Sequence, residues 1–224
     1  GGIYNDASAG GLSVTQSTFF GNQSYQGGAL YSEQETSPGG SVTPCTGVCL
    51  NNNTIANNSS QMGGGGVYNA GFIDVLVSNL IGGNTDAINN SPDMFSAAAT
   101  PTPGTPPSGI YQPALPSPLV APIFEGLNFV GDCGPSANCG LTNDTNLDIV
   151  GGSSLAMPPA NIPPGVLGLA WNGGPTQTVA LSPDSPAINN GFNNLGLSYD
   201  QRGPEFFRTV AETDIGAWEA QYDL

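Results

Sequence analysis

The chain has 224 residues, 38% apolar and 8% aromatic, enough to bury a core despite 33 Gly and 20 Pro. Only 8% of residues are charged and the net charge is −15, with two Arg, no Lys and no His. Phosphate-neutralising nucleic-acid binding and docking on anionic lipid are therefore excluded.

The chain opens on GGIYND, without Met or a signal peptide, which reads as a processed form or a segment of a longer precursor. No uninterrupted apolar run of about 18 residues follows, so no direct membrane insertion is expected. The first 90 residues instead carry an internal repeat. Three segments, starting at residues 1, 27 and 63, open on Gly-Gly followed by an aliphatic–Tyr pair: Ile3-Tyr4, Leu30-Tyr31 and Val67-Tyr68. An alternating stretch follows, such as LSVTQS or IDVLVS, and then an apolar residue leading to Asn: Phe20 to Asn22, Ile55 to Asn57, Ile81 to Asn84. Alternation of period two predicts strands. Units this small bury an apolar face only by stacking on one another. The expected coils lie about 4.8 Å apart, with aliphatic rows inside and Gly-Gly at the corners. Asn22, Asn57 and Asn84 are expected to form one corner ladder, each hydrogen-bonding its neighbour's backbone.

The second unit is longer, and its extra residues fall in EQETSPGGSVTPCTGVC. Cys45 and Cys49 belong to this insertion, and Cys133 and Cys139 form a second close pair. Zinc sites favour Cys-x2-Cys spacing and often use His, which is absent, so two local disulfides are expected, and with them an oxidising, extracellular setting. Residues 91–122 then hold nine prolines. Pro lacks the ladder donor, so the expectation over 91–123 is an extended surface loop laid on the solenoid. Strand-like text resumes at residue 124. Further on, DTNLD places Asp144, Asn146 and Asp148 like the start of a calcium loop, but the sixth position is Ile149 and the twelfth Leu155, so the signature fails and no metal or cofactor is assigned.

The GG-x-hydrophobic-Tyr-Asn units resemble those of bacterial right-handed parallel β-helix surface proteins, including polymorphic-outer-membrane-protein-like repeats. The blocks GLNFVGDC (126–133), WNGGPTQTVALSPDSPAINNG (171–191), YDQRG (199–203) and DIGAWE (214–219) resemble, in order and spacing, the secreted β-helix proteins called choice-of-anchor proteins. The resemblance spans residues 1–90 and 124–219. It implies an all-β, right-handed parallel β-helix in one domain over 1–224: N-terminal coils over 1–90, the Pro-rich insertion over 91–123, and C-terminal coils with a closing segment over 124–224. It also implies an extracellular or cell-surface location.

Both arginines fall in the closing segment, Arg202 and Arg208. The end of a solenoid has to be sealed, and a guanidinium bonds a carboxylate in two places while reaching carbonyls. The expectation is a clamp built from Arg202, Asp200, Asp214 and Glu219, with Asp214 as the principal partner, Trp218 packed over the last coil, and Arg208 at the surface. No catalytic residue is assigned, because the repeats lack the convergent carboxylates of a glycosidase and the lyase-type base beside an acidic cluster. The expected function is structural: an extracellular adhesin-like or filament-forming solenoid, its partner another copy added head to tail, or a cell-surface glycan. Two alternatives are kept, a carbohydrate-binding face with Tyr4, Tyr31 and Tyr68 as stacking platforms, and a polysaccharide lyase or hydrolase on the same fold.

Overall fold

The computed structural model describes residues 1–6, 11–33, 48–70, 73–89, 91–96, 127–133, 149–150 and 166–221. Among these there is no helix. The first coil holds β1 (Ile3–Asn5), β2 (Leu12–Thr15), β3 (Thr18–Phe20) and β4 (Gln23–Ser24). The second holds β5 (Leu30–Ser32), β6 (Val48–Asn51), β7 (Thr54–Ala56) and β8 (Ser59–Ser60), and the third β9 (Val67–Asn69), β10 (Ile73–Val77), β11 (Leu80–Gly82) and β12 (Thr85–Asp86). Corresponding strands pair in parallel from coil to coil, giving four sheets. The stacks continue through β13 (Met94–Ser96), which adds to β9, and through β14 (Phe129–Val130) and β15 (Ile149–Val150), which extend the sheet of β3, β7 and β11. The arrangement is consistent with a β-helix-like solenoid.

Register sorts the side chains into rows. Ile3, Leu30, Val67 and Met94 align, as do Leu12, Val48 and Ile73, and Val14, Leu50 and Leu76. Phe19, Ile55, Ile81, Val130 and Val150 make another row. All of them pack in one interior cluster. The corners are as exacting as the rows. Gly27 and Gly64 hold φ of +58° and +59°, the left-handed region that side chains disfavour. A Cβ on Gly28 would lie 2.0 Å from the carbonyl of Gly65 on the next coil, so glycine is required there by contact between coils.

The repeat does not stop at residue 91, as the proline content suggests. Ser91, Pro92 and Asp93 line the next corner and Met94–Ser96 stack on β9. Pro92 is tolerated because it serves as an acceptor, its carbonyl taking the Gly66 N–H at 3.2 Å. The rest of the proline-rich stretch and most of the insertion in the second unit lie outside the described residues.

Beyond residue 166 the architecture changes. The hairpin β16 (Val166–Ala170) and β17 (Thr178–Leu181) is antiparallel, and residues 187–220 run as turns with isolated bridges. These residues run outside the parallel stacks, as turns rather than as further coils. They lie against the flank of the stack. Tyr199 accepts from Gln16, Phe192 from Asn52 and Gln201 from Thr18, while the Phe192 N–H reaches the Ser78 hydroxyl and the Ala217 N–H the Thr54 hydroxyl. The segment thus straps all three complete coils from outside. The outer row it covers changes along the stack, Thr18, Thr54, Leu80, Phe129, Ile149. The threonines bond the strap's polar groups, and the apolar members join Val179, Leu181, Ile188, Ile215 and Trp218 in a second core.

Candidate functional site

Three arrangements stand out: asparagine ladders at the corners, an aromatic ladder on one face, and an ion cluster under the strap. The first corner ladder runs Asn22, Asn58, Asn84, Asp93. Each Asn donates both its backbone N–H and its Nδ2 to the side-chain oxygen of the next residue, at 2.8–2.9 Å. Asn57 is not a rung. It sits one residue earlier, at φ +55°, aligned with Gly21 and Gly83 at φ +73° and +67°. The corner needs one left-handed residue and then one amide, and a two-residue Asn57-Asn58 step hides which is which.

Sequence reasoning missed a second ladder, Asn53, Asn79, Asn128, at the corner between the β6 and β7 sheets. Its amides bond coil to coil at 2.9–3.2 Å and receive the Ser17 N–H at one end. Left-handed residues again precede each position: Gln16, Asn52, Ser78 and Leu127. The available signal was an apolar residue three positions ahead of Asn, at Leu50, Leu76 and, in the first ladder, Phe19, Ile55 and Ile81.

Asp93 ends the first ladder as a fully buried carboxylate, accepting from Asn84 through Oδ1 and from the Asp132 N–H through Oδ2 at 2.6 Å. Burial pushes its pKa up to about 7 against the opposing effect of those bonds.

On the opposite side of the β1 sheet from the core, Tyr4, Tyr31, Tyr68 and Phe95 stack ring on ring, with centroids 5.4, 5.3 and 4.7 Å apart. The faces of Tyr31 and Tyr68 are therefore occupied by neighbouring rings. The stacking-platform expectation fails for Tyr31 and Tyr68. Tyr4 donates its hydroxyl to Glu33, and that bond holds its pKa up at about 12.

The closing segment holds the ion cluster. Arg202 pairs with Asp200, at 2.6 Å through Nη2 and 3.0 Å through Nε, and donates to the Glu219 carbonyl at 2.5 Å. Its guanidinium lies 4.0 Å from the Phe206 ring centre and 4.8 Å from that of Trp218. Asp214 is not its partner. The Asp214 oxygens are taken by the backbone N–H groups of Asn189 and Ala220. A carboxylate two residues away in a tight turn meets the guanidinium first.

Arg208 is not a surface residue either. It is fully buried, donates to the Asp214 carbonyl at 2.6 Å and faces Glu219 at 3.8 Å, while its Nε and Nη1 have no partner. Burial lowers its pKa. Glu219 accepts from the Val210 and Asp214 N–H groups, and burial with nearby Asp214 pushes it up to about 8. Trp218 is buried against the outer face of the β3–β7–β11 sheet, in the second core, and does not cover a coil end.

Cys49 and Cys133 are both disulfide-bonded. The expected partners, Cys45 and Cys139, lie outside the described residues, as do Asp144, Asn146 and Asp148. Among the described residues no cluster of three metal-ligating side chains occurs.

The stretch that spans β3, β4, the Gly27 corner and β5 has a counterpart elsewhere. Residues 16–33 match the Chlamydia polymorphic membrane protein repeat. The match contains Asn22 of the ladder, the glycine pair and Tyr31, which are the parts of a coil that set its corners and its aromatic row. It likens one repeat unit, not the whole chain, to that family. No curated protein and no solved structure matches the chain.

Proposed function

We propose that the chain is an extracellular, cell-surface structural element: a right-handed parallel β-helix in one domain, carrying an insertion and closed along its flank by residues 187–220. The observation behind this reading is the coil-to-coil register of interior, amide and aromatic rows, found in a chain whose residues 16–33 match a repeat of polymorphic membrane proteins. Rows that run the length of a stack support a structural reading. Two disulfide-bonded cysteines accord with an oxidising compartment. Surface location is tested by protease shaving of intact source cells followed by peptide mapping. Loss of the chain's peptides from shaved cells supports it, and full protection overturns it.

The finer reading is assembly of copies head to tail. Each coil pairs with its neighbour through the same four parallel strands, so one coil is already a template for the next. An end-to-end contact does not close on itself and so propagates. Sedimentation with negative-stain microscopy tests it, with filaments expected and a monodisperse monomer at high concentration counting against it.

A further inference from the structure

The sequence holds two Asn-Gly pairs, Asn172-Gly173 in the turn of the β16–β17 hairpin and Asn190-Gly191 in the strap. An asparagine followed by glycine can close a ring on itself. The glycine nitrogen attacks the asparagine side-chain carbonyl, and it is the least hindered of backbone nitrogens because its residue has no Cβ. The carboxamides of the two pairs are held alike. Asn172 Nδ2 donates to the Thr178 carbonyl at 2.9 Å and to the Thr178 hydroxyl at 3.1 Å, and Asn190 Nδ2 donates to the Pro186 and Ile188 carbonyls at 3.2 and 2.9 Å. The nucleophiles differ. The Gly191 N–H donates to the Thr213 carbonyl at 2.6 Å, in an isolated bridge. A Cβ on Gly191 would lie 2.3 Å from the Asp214 carbonyl, so the strap backbone encloses it. Among the described residues the Gly173 N–H has no acceptor, and Gly173 is exposed. On the other side of the same peptide group, the Asn172 carbonyl accepts from Arg202 Nη1 at 3.3 Å. Attack requires loss of the N–H proton, which puts negative charge on that carbonyl oxygen, where a guanidinium stabilises it.

We propose that Asn172-Gly173 is a site of spontaneous covalent modification, and that Asn190-Gly191 is protected from it. The Gly173 nitrogen, its proton lost to water, bonds to Asn172 Cγ. The Cγ–Nδ2 bond breaks, and ammonia leaves with a proton from water, giving a five-membered imide. Water then adds to either imide carbonyl. Cleavage of the new bond leaves aspartate. Cleavage of the original peptide bond leaves the chain running through the side chain, as isoaspartate. The net change is one water consumed and one ammonia released, with no oxidant or cofactor. Either product puts a carboxylate beside Arg202, whose guanidinium already serves Asp200. Isoaspartate also lengthens a turn so closely packed that a Cβ on Gly174 would lie 2.6 Å from the Arg202 Cα. The reaction therefore acts on the clamp of the strap. The inference is independent of the surface role proposed above, since it rests on the two peptide groups and their bonding alone.

The test is incubation of the full chain at mildly alkaline pH, folded and in urea, followed by peptide mapping with mass spectrometry and detection of isoaspartate by enzymatic methyl transfer. Solvent exposure alone ranks the two sites the other way, because Asn190 is exposed and Asn172 half-buried. In the folded chain Asn172 is expected to convert at least about ten-fold faster than Asn190, whose glycine must first break its bond to Thr213. In urea, where neither glycine is bonded, that difference is expected to disappear. Asn172→Gln would have to close a larger ring, and is expected to remove the isoaspartate of the folded chain. Equal rates at the two sites in the folded chain would overturn the proposal, as would faster conversion of Asn190 or conversion of Asn172 in urea but not in the fold. Isoaspartate at the wild-type level in folded Asn172→Gln would overturn the assignment to this pair.

Discussion

The stacked coils and the strap that flanks them bury polar groups in opposite ways. The coils use neutral amides. Asn58 and Asn79 are each donor and acceptor at once, so like amide rungs pass from coil to coil, with a carboxyl, Asp93, at the end of one ladder. The strap uses carboxyl and guanidinium groups. Asp200, Arg202, Arg208, Asp214 and Glu219 are all buried within 20 residues of sequence, and their oxygens and nitrogens hold backbone groups that follow no repeat. The difference is one of geometry. A translational repeat presents the same N–H and C=O at the same place each time, and one amide satisfies both. An irregular turn presents several N–H groups converging on one point, which suits a carboxylate with two oxygens, and the resulting charge has to be balanced by guanidinium. This accounts for a chain with only two basic side chains spending both in one segment, neither of them on the surface.

The comparison breaks most readily at Arg202. Arg202→Ala leaves the Asp200 carboxylate buried and uncompensated and removes the stacking on Phe206 and Trp218. A loss of about 3–5 kcal/mol in denaturant unfolding is expected. A midpoint within error of wild type would mean that the strap does not depend on its ions. An interior rung comes next. Asn79→Ala strands the buried Asn53 N–H and deletes bonds to Leu50 and Asn128, with an expected cost of about 3 kcal/mol. Asn22→Ala, on the outermost rung, is expected to cost about 1 kcal/mol. Equal costs for the two would contradict a ladder that gains by being continued on both sides.

The cysteines give a smaller effect. Mass spectrometry without reduction is expected to show Cys45–Cys49 and Cys133–Cys139 as closed loops, and reduction to remove about 2 kcal/mol for each. Any other pairing would tie the insertion to a distant coil.

The pH effect is spread over several units. In the folded chain Asp93 and Glu219 hold their protons up to about 7 and about 8, whereas in the unfolded chain they release them near pH 4. Between those limits the folded state binds more protons, so their contribution is fully present below about pH 4 and is lost as pH rises to about 8. Unfolding midpoints are expected to fall from pH 5 to pH 8, and Glu219→Gln to flatten the upper part of that curve. A midpoint that rises over this range would show that both groups are ionised in the fold.

Much of the stack was legible in the sequence because each coil repeats its chemistry. Gly-Gly corners, the aliphatic–Tyr pairs and the alternating strands announce period, sheet type and interior rows, and the Tyr row fell where the spacing put it. What the repeat could not decide was a one-residue register. Asn57 and Asn58 have the same side chain, and only the coil below selects which is left-handed and which is the rung. Pro92 and Met94 likewise read as loop until their neighbours are in place. The strap was legible as composition alone. Its carboxylates, arginines and tryptophan could be named from the sequence, and Asp200, Arg202, Glu219 and Trp218 do converge. Whether Arg202 takes Asp200 or Asp214, whether Arg208 is inside or out, and whether Trp218 seals an end or a flank depend on contacts with coils more than 100 residues away, at Thr54, Ser78 and Leu80. Local pattern determines a structure that repeats locally. A segment whose bonding partners lie on another part of the chain takes its conformation from them.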